Sequence, residues 1–182
     1  MSHTLACVNI PFMVKYLSFL IIILLLSSCA SSKKTIVADA LDVSPMVTGS
    51  VLNSSALAKG GNLALGSFKA GTGAAANDET DQLSWMMIKG IKDTLPEDNT
   101  HFKITSDDQK DADCLLEGYI EDYGSKGHKA HLSIDGEIWL RDTGEKILLF
   151  QTSINIDLKK QNPKTVAYQI GVAIAHYIGS HS

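Results

Sequence analysis

Apolar and polar residues follow one another along this chain in several rhythms, and each rhythm predicts an element. Near the start, Leu17–Leu26 is apolar but for Ser18. As a helix this run reaches about 15 Å, half of a ~30 Å hydrocarbon core. Pro11 and Lys15 stop its extension backwards, so it is a poor membrane span. Residues 30–60 are rich in Ser and Ala and keep no sustained period, which predicts a tether. Its apolar residues, among them Ile36, Leu41, Val47 and Val51, make parts of it able to dock on the domain or on a partner. The stretch "NLALGSF" reads as a first strand, with Leu63, Leu65 and Ser67 on one face. "KAGTGAAANDE" reads as a loop. The period then becomes helical: Leu83, Met87, Ile91 and Leu95 recur every four residues, with Asp78 or Thr80 as cap and Pro96 as stop.

Strand rhythm dominates the second half. "HFKITS" predicts a short strand and "DDQKDA" a polar turn. "DCLLEGYIEDY" alternates with Cys114, Leu116, Gly118 and Ile120 on one face, and Leu115, Glu117, Tyr119 and Glu121 on the other. "AHLSIDGEIWLR" puts Leu132, Ile134, Gly136, Ile138 and Leu140 inward. "DTGE" turns the chain, and "KILLFQTSINIDL" returns with Leu148, Phe150, Thr152, Ile154 and Ile156 inward. The last segment is a helix, with Asn162 as cap, Pro163 as first residue and Gly179 as terminator. Val166, Ile170, Ile174 and Tyr177 face the sheet, and Gly171 and Ala173 allow close approach. The predicted order is β-α-β-β-β-β-α. This is an α+β two-layer sandwich: a mostly antiparallel four- to five-stranded sheet with two helices on one face.

A cation, a short apolar run and small residues form the layout of a secretory signal peptide. Leu26-Ser27-Ser28-Cys29 resembles the lipobox of bacterial lipoproteins. The resemblance implies cleavage between Ser28 and Cys29, a diacylglyceryl group on the Cys29 sulfur and acylation of the new amine. Two or three acyl chains exceed what stable anchoring needs. Met13 offers a second start, from which charge, apolar run and box all follow. Ala30 stands where an aspartate often signals inner-membrane retention, which favours the outer membrane. The expected organisation is a signal peptide over 1–28, a lipidated tether over 29–60 and a periplasmic domain over 61–182.

Removing residues 1–28 leaves 154 residues, enough for one domain with a core. The remainder carries fifteen basic and twenty acidic residues, a net charge of −5, and Arg141 is its single arginine. That composition argues against nucleic acid as a partner. With Cys29 lipidated, Cys114 has no cysteine to pair with, which excludes a disulfide framework and a cysteine zinc site.

"ADCLLEGYI", Ala112–Ile120, and "LRDTGEKIL", Leu140–Leu148, resemble two patterns of a group of envelope lipoproteins. The group includes the curli-secretion, Pel-export and penicillin-binding-protein-activator lipoproteins. The resemblance spans roughly residues 61–179 and implies an α/β periplasmic domain. No long amphipathic hairpins are present to build a transmembrane barrel. The implied role is one subunit of a ring, or an accessory to a larger machine.

Candidate chemistry is sparse. Gly71-Thr72-Gly73-Ala74-Ala75-Ala76 matches G-x-G-x-x-G/A, but the helical pattern opens only after Asn77-Asp78-Glu79. A dinucleotide site needs the helix N-terminus inside the motif, so no cofactor is expected. His128, His131, His176 and His181 form no metal-ligating spacing, and no metal is expected. Glu117, Glu121, Asp122, Asp135 and Glu137 form the polar rows that any half-exposed sheet has. Cys114 reads as a small core residue rather than a nucleophile. Tyr119 and Trp139 fall on the outward face, where aromatics can mark an interface or be covered by the tether. The expected function is therefore non-enzymatic: a lipid-anchored scaffold or accessory whose partners are envelope proteins or further copies of itself. Activation of a peptidoglycan synthase is the alternative, and a small envelope hydrolase ranks below it for want of a nucleophile–base pair.

Overall fold

The computed structural model describes residues 45–98, 100–105 and 111–182. The elements run in the order β1 (Thr48–Val51), α1 (Ser54–Lys59), β2 (Gly61–Gly73), α2 (Asp78–Thr94), β3 (Phe102–Ile104), β4 (Cys114–Lys126), β5 (Lys129–Leu140), β6 (Lys146–Asp157) and α3 (Pro163–Gly179). A 3-10 turn, Leu95–Glu97, follows α2 where Pro96 interrupts it. All six strands form one sheet, ordered β1-β6-β5-β4-β2-β3.

The α+β class and the antiparallel β4-β5-β6 meander agree with expectation. Several details differ. The sheet has six strands rather than four or five, and it is mixed, because β2 runs parallel to both β3 and β4. Three helices are present among the described residues rather than two. The extra strand and helix come from residues expected in the tether: β1 pairs antiparallel with β6, Thr48 opposite Gln151. Helix α1 is capped by Asn53, whose side chain accepts from the Ala56 amide, and it sinks Leu57 fully into the core.

Strand β2 is also longer than its sequence rhythm. The stretch expected as a Gly-rich loop continues it to Gly73. A register shift between Leu65 and Phe68 breaks the alternation, so Phe68, not Ser67, reaches the core. The glycines here serve packing. A Cβ on Gly71 would stand 2.8 Å from Glu121 Oε2, and one on Gly73 would stand 2.6 Å from the Glu121 carbonyl.

Helix α2 buries the expected Leu83, Met87 and Ile91, and Leu95 of the 3-10 turn completes the stripe. Its cap is Asn77 rather than Asp78 or Thr80. The Asn77 side chain accepts from the Glu79 and Thr80 amides, and Thr80 Oγ1 accepts from the Asn77 amide. Helix α3 starts as predicted, with Asn162 as cap and Pro163 in its first turn. It runs through Gly179 and ends on Ser180. Val166, Ile170, Ile174 and Ile178 are buried, while Tyr177 is half-buried at the rim of the core. The two long helices meet at glycines. A Cβ on Gly171 would stand 2.1 Å from the Met87 carbonyl, and one on Gly90 would stand 2.3 Å from the Tyr168 carbonyl.

The helices and the inward sheet residues form one apolar core. Among the described residues, the opposite face of the sheet has a small separate cluster of Ala64, Ala112 and Leu115, with Trp139 against it. Among the described residues no helix is long and apolar enough to cross a membrane.

Candidate functional site

The face of the sheet away from the helices carries both aromatics singled out in the sequence. Alternation along β4 and β5 puts them there: Gly118 and Ile120 on either side of Tyr119, and Ile138 beside Trp139, are buried on the other side. The register keeps them apart. Trp139 lies opposite Leu115, while Tyr119 lies opposite Asp135, four residues further along β4 and about 13 Å away. Their environments also differ. Trp139 is half-buried against Ala64, Ala112 and Leu115. Tyr119 is 43 % exposed.

Between them, Glu117 and Glu137 stand directly opposite each other on neighbouring strands. Two like charges so placed would repel. Each has a lysine: Lys69 Nζ is 3.6 Å from Glu117 Oε1, and Lys146 Nζ is 2.5 Å from Glu137 Oε2. The Glu137 carboxylate raises the Lys146 pKa through that hydrogen bond. The row thus runs Lys69, Glu117, Glu137, Lys146, two adjacent acids flanked by two cations on an open surface. Next to it a groove of about 490 Å³ runs between β1 and Tyr119, with Thr48, Ser50, Asp135 and Gln151 along it. A second depression of about 600 Å³ lies at the end of the sheet where Lys59, Gly60, Asp113 and Arg141 gather. Sequence reasoning missed both, because each needs β1 or α1.

Other candidates are placed as follows. Cys29 and Ser28 lie outside the described residues. Cys114 is buried, and desolvation pushes its thiol up to about 11, so it stays protonated at neutral pH. His131 contacts Asn155 at 3.1 Å, His176 pairs with Asp98 at 2.8 Å, and His181 reaches the Tyr177 carbonyl. They sit at separate places, and among the described residues no group of three His, Cys, Asp or Glu is arranged to hold a metal. The Gly71–Ala76 motif does not open a helix. The α2 N-terminus lies beyond it, its amides already taken by Asn77, with Asp78, Glu79 and Asp81 in its first turn. Those charges oppose a phosphate there.

No protein-family model and no curated protein matches the chain. Solved structures do. The fold is similar to PelC of Paraburkholderia phytofirmans, crystallised as a dodecamer, with a TM-score of 0.52 and 15 % identity over 73 % of this chain and 97 % of that one. A substituted form of the same dodecamer gives a TM-score of 0.52 at 13 % identity, with the same coverage of both chains. At these identities the likeness establishes the fold. It agrees with the Pel-export member of the group that residues 112–120 and 140–148 resemble.

Proposed function

We propose that this chain is a lipid-anchored, non-catalytic subunit of a bacterial envelope assembly or export system, working as several copies at the outer membrane with its domain in the periplasm. The observation that carries this reading is the match of nearly the whole PelC chain, a protein that assembles as a dodecamer, to residues of this fold. The lipobox resemblance at Leu26–Cys29 supplies the membrane attachment. The open face supports binding rather than chemistry: its glutamates are engaged by lysines, and the Cys114 thiol lies in the core on the other side of the sheet.

Strand β1 bears on reach. It begins at Thr48, so the stretch left between it and Cys29 is residues 30–47, shorter than the expected tether over 29–60. A shorter tether suits an assembly at the domain's own membrane better than activation of an enzyme across the periplasm.

The test is Cys29→Ser in cells, read by membrane fractionation and intact mass, with crosslinking in intact membranes. Wild type is expected in the outer-membrane fraction, carrying acyl mass and crosslinked to envelope proteins or to itself. The variant is expected to lose both the acyl mass and the membrane. A variant that stays membrane-bound at unchanged mass refutes the anchor.

A further inference from the structure

We propose that β1 is the seam between two copies of this chain, which pair along it antiparallel about a two-fold axis at Gly49. The starting observation is an edge. β1 is the last strand on its side of the sheet and pairs with β6 alone, so its other side has no strand partner among the described residues. Such an edge offers a row of amides and carbonyls to another strand. The segment is held straight along β6 at both ends. Thr152 Oγ1 donates to the Met46 carbonyl at 2.9 Å, and the Leu52 amide donates to the Ile147 carbonyl at 2.9 Å.

The sequence of this segment is nearly the same read in either direction. In Met46-Val47-Thr48-Gly49-Ser50-Val51-Leu52, an aliphatic answers an aliphatic, valine answers valine, hydroxyl answers hydroxyl, and glycine is the centre. Exposure has the same symmetry. Met46 and Leu52 are 76 % and 53 % exposed, Thr48 and Ser50 are exposed, and Val47 and Val51 are half-buried. Met46 and Leu52 are two of the four large apolar residues left exposed among the described residues.

An isologous contact needs this kind of self-complementarity, because residue i meets j while j meets i. Antiparallel pairing about Gly49 sets Thr48 against Ser50 of the second copy, and Met46 against Leu52 of the second copy. Hydroxyl and aliphatic pairs are both favourable cross-strand neighbours. The segment holds no Asp, Glu, Lys or Arg, so no like charges meet, and none of the charges that natural edges use against pairing is present. The occupant is therefore a second copy, not an unrelated strand. The pair joins two six-stranded sheets into one, with both open faces on the same side. The groove beside β1 then continues across the axis.

The inference adds an interface to the self-association in the proposed function and rests on that part of it; lipid anchoring is independent of it. Full-length protein in detergent is examined by light scattering, with circular dichroism as the check on folding. Wild type is expected as two copies or a multiple of two. T48K/S50K sets cations against each other twice, and its mass is expected to fall at least twofold. T48K/S50E sets opposite charges together and is expected to restore the wild-type mass. T48C/S50C is expected to form a disulfide-linked pair on mild oxidation, while T48C alone, facing a serine, is not. A multimer indifferent to T48K/S50K overturns this interface and leaves self-association standing. A monomeric wild type overturns both. A folded T48K/S50E that stays dissociated overturns the register.

Discussion

Gly118 lies directly opposite Gly136 across β4 and β5, and the flanking positions on β2 and β6 are Phe68 and Phe150. The row reads Phe-Gly-Gly-Phe across four strands. A Cβ on Gly118 would stand 2.3 Å from the Phe68 ring, and one on Gly136 would stand 2.2 Å from the Phe150 ring. The rings therefore lie over the glycines and fill the space that two side chains would occupy.

Gly136→Ala is expected to destabilise the domain by about 1–3 kcal/mol, because the added methyl overpacks a buried ring. Phe150→Ala leaves the opposite defect, a cavity above a glycine with nothing to collapse into it. It is expected to cost about 3–5 kcal/mol. Urea denaturation of both variants measures these losses. If both remain as stable as wild type, the ring does not lie over the glycine.

This row shows where the sequence was legible and where it was not. Period-2 alternation alone puts Gly118, Gly136 and Phe150 inward, and all three are buried. The fourth member departs from its pattern. Phe68 is inward only because a register shift follows Leu65, and a bulge leaves no mark in the hydrophobic pattern. Pairing partners were equally hidden. Alternation tells which face a residue takes, not which strand lies beside it, so the parallel neighbours of β2 could not be read. The stripe of α2 was plain because seventeen residues sustain one period. β1 was not, because four residues, three of them Thr, Gly and Ser, carry no period, and their place is set by the edge of β6. The candidate site divides likewise. The face of Tyr119 and Trp139 was readable, while their separation and the lysines that engage the glutamates between them needed the register.

Tyr119 and Trp139 are expected to answer mutation differently. Trp139 packs on Ala64, Ala112 and Leu115, so Trp139→Ala should lose roughly 1–3 kcal/mol of stability as apolar area returns to water. Tyr119→Ala should stay within about 0.5 kcal/mol of wild type, as exposed positions usually do. Thermal melts give these values, and membrane crosslinking of the same variants gives their effect on association. A Tyr119→Ala protein of normal stability that loses crosslinks makes Tyr119 a binding residue. Unchanged crosslinks remove it from the interface.

Stability is expected to fall as pH rises above about 9. Desolvation raises the Cys114 pKa to about 11 from an ordinary 9.0, so the folded state holds its proton longer than the unfolded chain. A group of that kind contributes fully below its unfolded pKa, and its contribution shrinks through the window from 9 to 11. Burial also raises Tyr123, helped by its hydrogen bond to Glu79, and raises Tyr168 and Tyr177, which act in the same direction above 10. Urea midpoints at pH 7, 9, 10 and 11 are expected to decline in that order. Cys114→Ala should flatten the first part of the decline. An unaltered slope in that variant would mean that the thiol is not desolvated.

The crossing of α2 and α3 is set by Gly90 and Gly171, each within 2.3 Å of a backbone carbonyl if given a Cβ. Alanine is the better helix former by about 1 kcal/mol, so propensity alone predicts that Gly171→Ala stabilises the protein. The contact predicts the reverse. The obstacle is the Met87 carbonyl, a backbone atom that cannot rotate away, so the helices must separate and Ile170, Ile174 and Met87 lose close packing. Overpacking of this kind costs about 1–3 kcal/mol, and here the gain in propensity is too small to offset its upper range. Gly171→Ala is expected to lower the melting temperature, with the far-ultraviolet helix signal retained below the transition. Ala173→Gly is the control, since Ala173 is only half-buried and should show the ordinary helix penalty of about 1 kcal/mol. A Gly171→Ala protein that melts above wild type would show that the two helices do not touch at this glycine.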